Sequence, residues 1–293
     1  MNQEKSYSLT LDTFEKNFVT ISSFKPDGNE WTDVATLIPH FNDLKGLEAA
    51  IESTSFSGRL DFIIVDDGSS IKPNLDVLRI LTPHKVHLLE LRTNQGIEKA
   101  LNVGLGYIEK NIHCNYVARM DCGDISTSNR LDVQVNFLRS NPEISLVGSW
   151  VEFIDEFDKP LYVLRFPEKH VDIIKKLPIS VPFMHPSIVF NTHILNKIAR
   201  YPTQYKAAED YAFFFSVAQK FKTANIPQVL IRVRLRRSGI SLKNRRVQLF
   251  SRLRIVLNNW SFEWNYLRGL FRVMALFVLP HSFTESIKRR FWH

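Results

Sequence analysis

The sequence predicts an α/β fold with a mostly parallel sheet and helices on both of its faces. From Asp33 onward, short apolar runs typical of buried strands alternate with amphipathic stretches of helical spacing. The chain has 293 residues, of which 44% are hydrophobic, so it can form one large domain with a sizeable core or a domain plus an appendage.

The first half of the chain contains four predicted strands and two predicted helices. The strands are Val34–Ile38, Leu60–Val65, Val86–Leu91 and Tyr116–Met120, and the helices are Leu44–Ile51 and Gly96–Ile108. Ligands of open parallel sheets bind beyond the carboxyl ends of the strands. Pro39, Asp66 and Asp121 follow three of these strands, and we therefore expect them to line one crevice.

After residue 145 the alternation loosens. A longer strand is predicted over Leu146–Ile154, a short helix over Val171–Leu177, and a loop over Pro182–Phe190 that leads into another strand. Further on, Leu242–Trp260 has the spacing of a basic amphipathic helix, whose predicted apolar face comprises Leu249, Phe250, Leu253, Val256, Leu257 and Trp260. The apolar run Val273–Pro280 is too short to span a bilayer, which needs about 20 residues, but long enough to lie in the membrane interface or to pack on the main domain.

Positive charge is concentrated near the C-terminus. Residues 232–293 contain 14 lysines and arginines and two glutamates, a net charge of +12, whereas the rest of the chain has a net charge of −4. This asymmetry indicates an anionic partner for the C-terminal part, either membrane headgroups or nucleic acid. A basic face that is merely solvated is the alternative.

Cysteine content and the N-terminus indicate an intracellular protein. Cys114 and Cys122 match neither a zinc-ligand pattern nor a disulfide framework, which favours a reducing cytoplasm. Residues 1–30 are polar and lack the apolar core of a secretory signal, so we expect no export.

Acidic residues follow two of the predicted strands, in Asp66-Asp67-Gly68-Ser69 and in Asp121-Cys122-Gly123-Asp124. Each has a simple alternative: the first is also typical of a tight turn, and Asp124 or Ser126 could cap a helix predicted over Arg130–Leu138. If both groups lie in one crevice, their charges need compensation, and hard carboxylate oxygens suit Mg²⁺ or Mn²⁺.

Several ordered motifs carry a family resemblance. They are Thr36-Leu37-Ile38-Pro39-His40-Phe41-Asn42, Val65-Asp66-Asp67-Gly68-Ser69, Asn94-Gln95-Gly96 with Asn102-Val103-Gly104, Arg119-Met120-Asp121-Cys122-Gly123-Asp124, and then Arg130, Gln134, Gly148 and Ala208-Glu209-Asp210-Tyr211. Together they resemble the family 2 glycosyltransferases of the GT-A fold, of the bacterial cell-surface polysaccharide type.

The resemblance implies a Rossmann-like GT-A domain over residues 33–240 that transfers a sugar, with inversion, from a nucleoside-diphospho sugar. A polar extension over residues 1–32 would precede it, and basic amphipathic helices over residues 241–293 would follow. The residues expected to bind the sugar donor are Pro39, Phe41, Asn42, Asp66, Asp67, Gly96, Lys99 and Asp121.

The acidic loop departs from the family pattern at one position. The usual motif is Asp-x-Asp-Asp, and its middle aspartate is commonly the metal ligand, but this chain has Gly123 there. By resemblance, Asp121 and Asp124 remain the expected ligands of Mg²⁺ or Mn²⁺. Gly123 also motivates an alternative, in which the chain is a catalytically silent relative that serves as an assembly partner.

The resemblance assigns the catalytic base to Asp210. An inverting transfer needs a carboxylate that takes the proton of the acceptor hydroxyl; the simpler interpretation of Glu209-Asp210 is an acidic pair stabilised by a helix N-terminus. Glu209, Arg236 and Arg237 are expected to contact acceptor or phosphate, as is His185, although a lone histidine is more often structural.

The expected acceptor is a glycan or lipid-linked glycan, in O-antigen, capsule or exopolysaccharide synthesis at the cytoplasmic face of the inner membrane. Two other function classes lack their signatures. Nucleic-acid binding would fit the basic tail, but no zinc, recognition-helix or RNA-binding motif accompanies it. A nicotinamide-dependent oxidoreductase would need Gly-x-Gly-x-x-Gly after the first strand.

Overall fold

The computed structural model describes residues 18–22, 31–198, 200–235 and 245–278. One ten-stranded sheet runs through it, in the order β1-β4-β3-β2-β5-β9-β7-β10-β6, with β8 paired to β7. The predicted α/β class is confirmed.

The four predicted strands of the first half lie side by side in one parallel block. They are β2 (Trp31–His40), β3 (Leu60–Asp66), β4 (Lys85–Leu91) and β5 (His113–Arg119). Their carboxyl ends therefore meet at one edge of the sheet, as predicted. A further strand, β1 (Phe18–Ser22), pairs antiparallel with β4 and comes from the stretch predicted as a polar extension.

Three helices connect these strands: α1 (Leu44–Glu52), α2 (Leu75–Ile80) and α3 (Ile97–Asn111). α3 lies directly on the sheet because Gly104 has no side chain; a Cβ there would overlap the side chain of Leu37 and lie in tight contact with Val65.

The second half completes the sheet with longer, mixed strands. β7 (Ile144–Ile154) and β10 (Lys222–Arg234) are parallel, β8 (Pro160–Leu164) and β9 (Val189–Asn191) pair antiparallel with β7, and β6 (Ile125–Ser126) pairs with β10. The helices of this half are α4 (Arg130–Ser140), α5 (His170–Lys176) and α6 (Glu209–Lys220), with short 3-10 turns at His185–Ser187 and Thr192–Asn196.

The core consists of two apolar layers, one on each face of the sheet. α3, α5 and α6 contribute to the first layer, and α1, α2 and α4 to the second. Helices thus cover both faces, as the alternating pattern predicts.

Two further helices, α7 (Arg245–Asn258) and α8 (Trp264–Val278), follow the sheet. α7 joins the first core layer through Ile255 and Val256. The predicted apolar face is buried only in part: Leu249 and Val256 are buried, whereas Phe250 and Leu257 are exposed. Within the described ranges, no helix has both the length and the apolarity needed to cross a membrane.

α8 is fixed to the domain by a close backbone contact. Gly269 lies against the backbone of Pro178, and a Cβ at this position would overlap the Pro178 carbonyl oxygen. Arg272 adds a hydrogen bond to the Ile179 carbonyl, with 3.1 Å between Nη1 and the oxygen.

We predict that Gly269→Ala lowers the melting temperature by several degrees, because backbone on both sides must move to admit the methyl group. Met274→Ala is the matched control, since this exposed α8 side chain should change the free energy of unfolding by less than about 0.5 kcal/mol. Thermal unfolding measures both. Equal melting temperatures for the two variants would contradict the close packing of α8.

Candidate active site

A buried histidine–aspartate pair joins the ends of β2 and β3. Nδ1 of His40 lies 2.8 Å from Oδ1 of Asp66, and both side chains are fully buried. Nε2 of His40 accepts the backbone N–H of Asp43 at 3.1 Å, so Nδ1 is the protonated nitrogen and donates to Asp66. Burial raises the pKa of Asp66, but hydrogen bonds from His40 and Ser69 outweigh it and hold the pKa below its ordinary value.

Asp67 holds the loop that precedes α3. Its two carboxylate oxygens accept the backbone N–H groups of Gln95, at 2.7 Å, and of Gly96, at 2.9 Å. Burial raises the pKa of Asp67, although these two hydrogen bonds oppose the shift. The carboxylate thus fixes one strand end relative to the next.

The other expected donor-binding residues surround the same strand ends. Pro39 is buried at the end of β2, whereas Phe41 is half exposed and Lys99 is exposed on α3. Asn42 links two loops, because its side-chain oxygen accepts the Ser70 N–H at 2.9 Å and its own N–H donates to Ser69 Oγ at 2.8 Å. Phe41 and Lys99 therefore have the freest side chains of this set.

A buried arginine ends β5. The side chain of Arg119 is 1% exposed, and its Nη2 donates to Oδ1 of Asp121 at 2.5 Å. The Asp121 side chain is 35% exposed, so it faces both the guanidinium and solvent.

A second buried arginine, Arg130, supports the first. Its Nη2 donates to the Arg119 carbonyl at 2.8 Å, and its Nε donates to Oε1 of Gln134 at 3.0 Å. Gln134 in turn donates to the Ser187 carbonyl at 2.7 Å. Burial lowers the pKa of Arg130 to about 9, although the charge of Asp124 opposes the shift. Arg130 and Gln134, two motif residues, are thus buried side chains that hold the backbone of the site in place.

The acidic loop turns sharply at Gly123, which has φ of 87°, and its N–H donates to the Gly46 carbonyl at 2.9 Å. An aspartate at this left-handed position would be strained, which gives a physical reason for the departure from the family motif. Asp124 is buried, and its Oδ1 accepts the backbone N–H of Arg234 at 3.2 Å. The alternative that Asp124 or Ser126 caps α4 is wrong, since Asn129 occupies the N-cap position.

Two carboxylates lie at the N-terminus of α6. Asp210 is partly exposed, and its Oδ1 accepts the Tyr211 N–H at 2.7 Å. Glu209 is 8% exposed, and its Oε2 has no hydrogen-bond partner among the described residues. Burial and the charge of Asp210 raise the pKa of Glu209 to about 8. Burial also raises the pKa of Asp210, while the charges of Arg252 and Arg119 oppose that shift.

Arg119 thus interacts with two acidic groups: it forms an ion pair with Asp121, and its charge acts on Glu209 and Asp210. The structure thus brings residues more than 80 positions apart into one site. Burial and their mutual repulsion thus raise the pKa of both carboxyl groups and favour retention of a proton at this pair.

His185 is buried beside this group. Its Nε2 lies 2.8 Å from the hydroxyl of Tyr201, and its ring packs edge-on against Phe214. Burial lowers the pKa of His185 well below the ordinary range, so the ring is neutral. This environment agrees with the structural interpretation of a lone histidine.

The loop before α6 is held by α7. Gln248 donates to the Ala207 carbonyl and Ser251 to the Lys206 carbonyl, both at 2.9 Å. Arg252 lies over the ring of Tyr211, with Cζ 5.8 Å from its centroid. A helix outside the predicted domain boundary therefore contributes to the site. Arg236 and Arg237 lie outside the described residues.

The match to a family model decides the family. Residues 36–198 match the model "Glycosyl transferase family 2", which is more than half of the chain. The chain belongs to this family. It is a glycosyltransferase, as the sequence motifs indicate.

Two relatives illustrate the setting of the family. An amylovoran biosynthesis glycosyltransferase, AmsE, from Erwinia amylovora is 32% identical over 195 residues, covering 64% of this chain and 71% of the relative. A UDP-Gal:alpha-D-GlcNAc-diphosphoundecaprenol beta-1,3-galactosyltransferase from Escherichia coli is 29% identical over 240 residues, covering 78% and 84%.

A solved structure confirms the fold of this glycosyltransferase. The mannosyltransferase PcManGT from Pyrobaculum calidifontis, in complex with GDP-Man and Mn²⁺, superposes with a TM-score of 0.56 over 94% of this chain and 84% of that chain. At 16% sequence identity, this likeness supports the GT-A fold alone.

Sequence reasoning missed four contributors to this glycosyltransferase site: His40, Arg119, Tyr201 and Arg252. His40 and Arg119 belong to quoted motifs, but nothing in the sequence shows which carboxylate each one contacts. Tyr201 and Arg252 follow the matched segment, and only the fold brings them to Asp210 and His185.

We predict that Glu209→Gln reduces the pH dependence of stability. Because the folded-state pKa of Glu209 is raised from 4.5 to about 8, the folded protein holds a proton that the unfolded chain releases in this window. The free energy of unfolding therefore falls as the pH rises from about 4.5 to 8.

Thermal unfolding at pH 5 and pH 8 measures this effect. Between pH 5 and pH 8, the melting temperature of the wild type should fall by a few degrees more than that of Glu209→Gln. The exposed control Glu143→Gln should behave as the wild type. Identical pH dependence in the wild type and Glu209→Gln would show that Glu209 is ionised in the folded protein.

Proposed function

We propose that this glycosyltransferase transfers a sugar, with inversion, from a nucleoside-diphospho sugar to a hydroxyl of a glycan or lipid-linked acceptor. One observation carries the proposal. The carboxylates Asp121 and Asp210, which the motifs assign to the sugar donor and to the base, share the electrostatic influence of the buried Arg119.

Asp210 serves as the base in this proposal. Its Oδ1 is held by the Tyr211 N–H, and its raised pKa makes it a better proton acceptor than an ordinary aspartate. It takes the proton of the acceptor hydroxyl while that oxygen forms a bond to the anomeric carbon. The bond from the anomeric carbon to the diphosphate breaks, and the nucleoside diphosphate leaves. Protonated Glu209 donates a hydrogen bond to acceptor or phosphate.

A divalent ion, Mg²⁺ or Mn²⁺, fits the site through Asp121. The described residues contain no group of three or more potential ligand side chains, but Mg²⁺ is commonly held by one or two carboxylates together with substrate phosphates. The partly exposed carboxylate of Asp121 meets this need, whereas Asp124 is buried against β10. When bound, the ion would neutralise charge on the leaving diphosphate.

The sugar donor is expected beyond β2 and β3. Phe41 and Lys99 offer an apolar face and a cation. The hydrogen bonds described above hold the loops that carry Asp66, Asp67, Asn42 and Gly96, and Pro39 is buried at the end of β2. Arg236 and Arg237 remain proposed partners of the diphosphate. We further propose cell-surface polysaccharide synthesis, with an acceptor joined to its lipid through a diphosphate, since the Escherichia coli relative is named for such an acceptor.

A nucleotide-sugar binding screen with and without Mn²⁺ tests the sugar donor and the metal together. We expect one nucleoside-diphospho sugar to bind more tightly with Mn²⁺. Asp210→Asn should keep this affinity and lower kcat for transfer by about a hundredfold or more, whereas Asp76→Asn, on exposed α2, should match the wild type. Substantial transfer by Asp210→Asn would remove Asp210 as the base.

We also propose that the enzyme works at the cytoplasmic face of the inner membrane. α8 presents an outward apolar row at helical spacing, formed by Trp264, Leu267, Phe271 and Met274. Aromatic side chains beside arginines are typical of helices that lie in a membrane interface. Nucleic acid is not an expected partner.

Replacing Trp264 and Phe271 by serine should weaken binding to vesicles that contain phosphatidylglycerol, because these side chains are 70% and 76% exposed. The matched control replaces Ile71 and Ile80, exposed by 70% and 85% elsewhere on the surface, by serine. Sedimentation with vesicles measures the bound fraction. Equal bound fractions for the two double variants would exclude the α8 row as the membrane contact.

A further inference from the structure

Four cationic side chains lie on the helices around Tyr211, the residue that follows the proposed base. Lys176 ends α5, Arg252 lies on α7, and Arg268 and Arg272 lie one turn apart on α8. We call these four residues the basic cluster. They belong to three helices that share no sequence motif, so the cluster exists only in the folded chain.

Contacts around residues 176–179 bring the three helices together. Arg272 donates to the Ile179 carbonyl at 3.1 Å, and Gly269 lies against Pro178. The hydroxyl of Tyr211 donates to the Leu177 carbonyl, and Arg252 lies over the Tyr211 ring. The segment that ends α5 therefore contacts α6 and α8, while α7 contacts α6 at Tyr211, the residue that follows Asp210.

The charge of Arg252 acts on Asp210, but the cluster contains more cations than neighbouring carboxylates. None of the four side chains forms an ion pair with a carboxylate in the part of the chain that the structure describes. Burial and the charges of Arg272 and Arg268 lower the pKa of Lys176, and burial and the charge of Arg252 lower the pKa of Arg272. Such mutual repulsion makes the cluster a favourable place for an anion.

The cluster borders the outward apolar row of α8. Arg268 is next to Leu267, and Arg272 is next to Phe271, while Gly269 and Val273 form the buried side of the helix. An anion held by the cluster would therefore have the base on one side and an apolar surface on the other.

We propose that the basic cluster binds the diphosphate of a lipid-linked acceptor, with the acceptor sugar toward Asp210 and the lipid along the apolar row of α8. This inference rests on the proposed function. In such an acceptor the diphosphate lies between the sugar and the lipid, just as the basic cluster lies between the proposed base and the apolar row. The charge of a diphosphate also allows it to bind several cations at once.

Binding of farnesyl diphosphate, measured by calorimetry, tests the cluster without requiring transfer. Lys176→Gln and Arg268→Gln should each weaken binding by about tenfold, the loss expected for one charged hydrogen bond. Arg246→Gln, an exposed arginine on α7, is the matched control and should stay within about twofold of the wild type. Farnesol, which lacks the diphosphate, should bind all variants alike.

Transfer kinetics give a second readout. With a diphospho-lipid acceptor, Arg268→Gln should raise KM by about tenfold and keep kcat, whereas the KM for the matching alkyl glycoside should not change. A merely structural role would affect both acceptors equally, and that result would overturn the proposal.

Two other results would also overturn it. Equal losses in Arg246→Gln and Arg268→Gln would indicate general attraction by the basic surface. If the cluster variants lost binding to phosphatidylglycerol vesicles but kept binding to farnesyl diphosphate, the cluster would be a headgroup site. Failure of every nucleotide sugar to support transfer would contradict the proposed function, while the farnesyl diphosphate titration would still decide the role of the cluster.

Discussion

The guanidinium of Arg119 is buried at the end of a central strand, and a buried charge is tolerated only where opposite charge and hydrogen-bond acceptors surround it. Asp121 and the Met120 carbonyl accept its N–H groups, and Arg130 fixes its backbone through the Arg119 carbonyl. The same charge reaches Glu209 and Asp210. The requirement to compensate one cation therefore couples the acidic loop, α4 and the start of α6.

This constraint explains why residues of the family motifs divide into two kinds. Arg130, Gln134 and Asp67 bind backbone groups and hold loops and strand ends in place. Asp121 and Asp210 remain partly exposed and are the groups that a substrate can reach. The buried set positions the exposed set, which is how one sheet edge can keep several carboxylates close together.

Much of the fold could be predicted from the sequence, because buried parallel strands leave continuous apolar runs and helices leave periodic ones. β10 has neither pattern: Pro227 and Gln228 interrupt its apolar residues, and its pairing with β7 shifts register between Ile226 and Val229. For the site, motifs indicated the carboxylates but not their protonation. The protonation of Glu209 depends on its burial and on the charge of Asp210. The effect of Arg252 on the pKa of Asp210 depends on how α7 packs, which the local sequence does not determine.

The hydrogen bonds from α7 to the Lys206 and Ala207 carbonyls limit where the chain can be joined to a segment of another protein. The segment that matches the family model ends at residue 198, before both the proposed base, Asp210, and the helix that holds its loop. In this chain the loop that carries the proposed base depends on α7 for two of its hydrogen bonds. A chimera joined just after β10 would combine a native base with a foreign support, whereas a junction before Tyr201 would keep the two together.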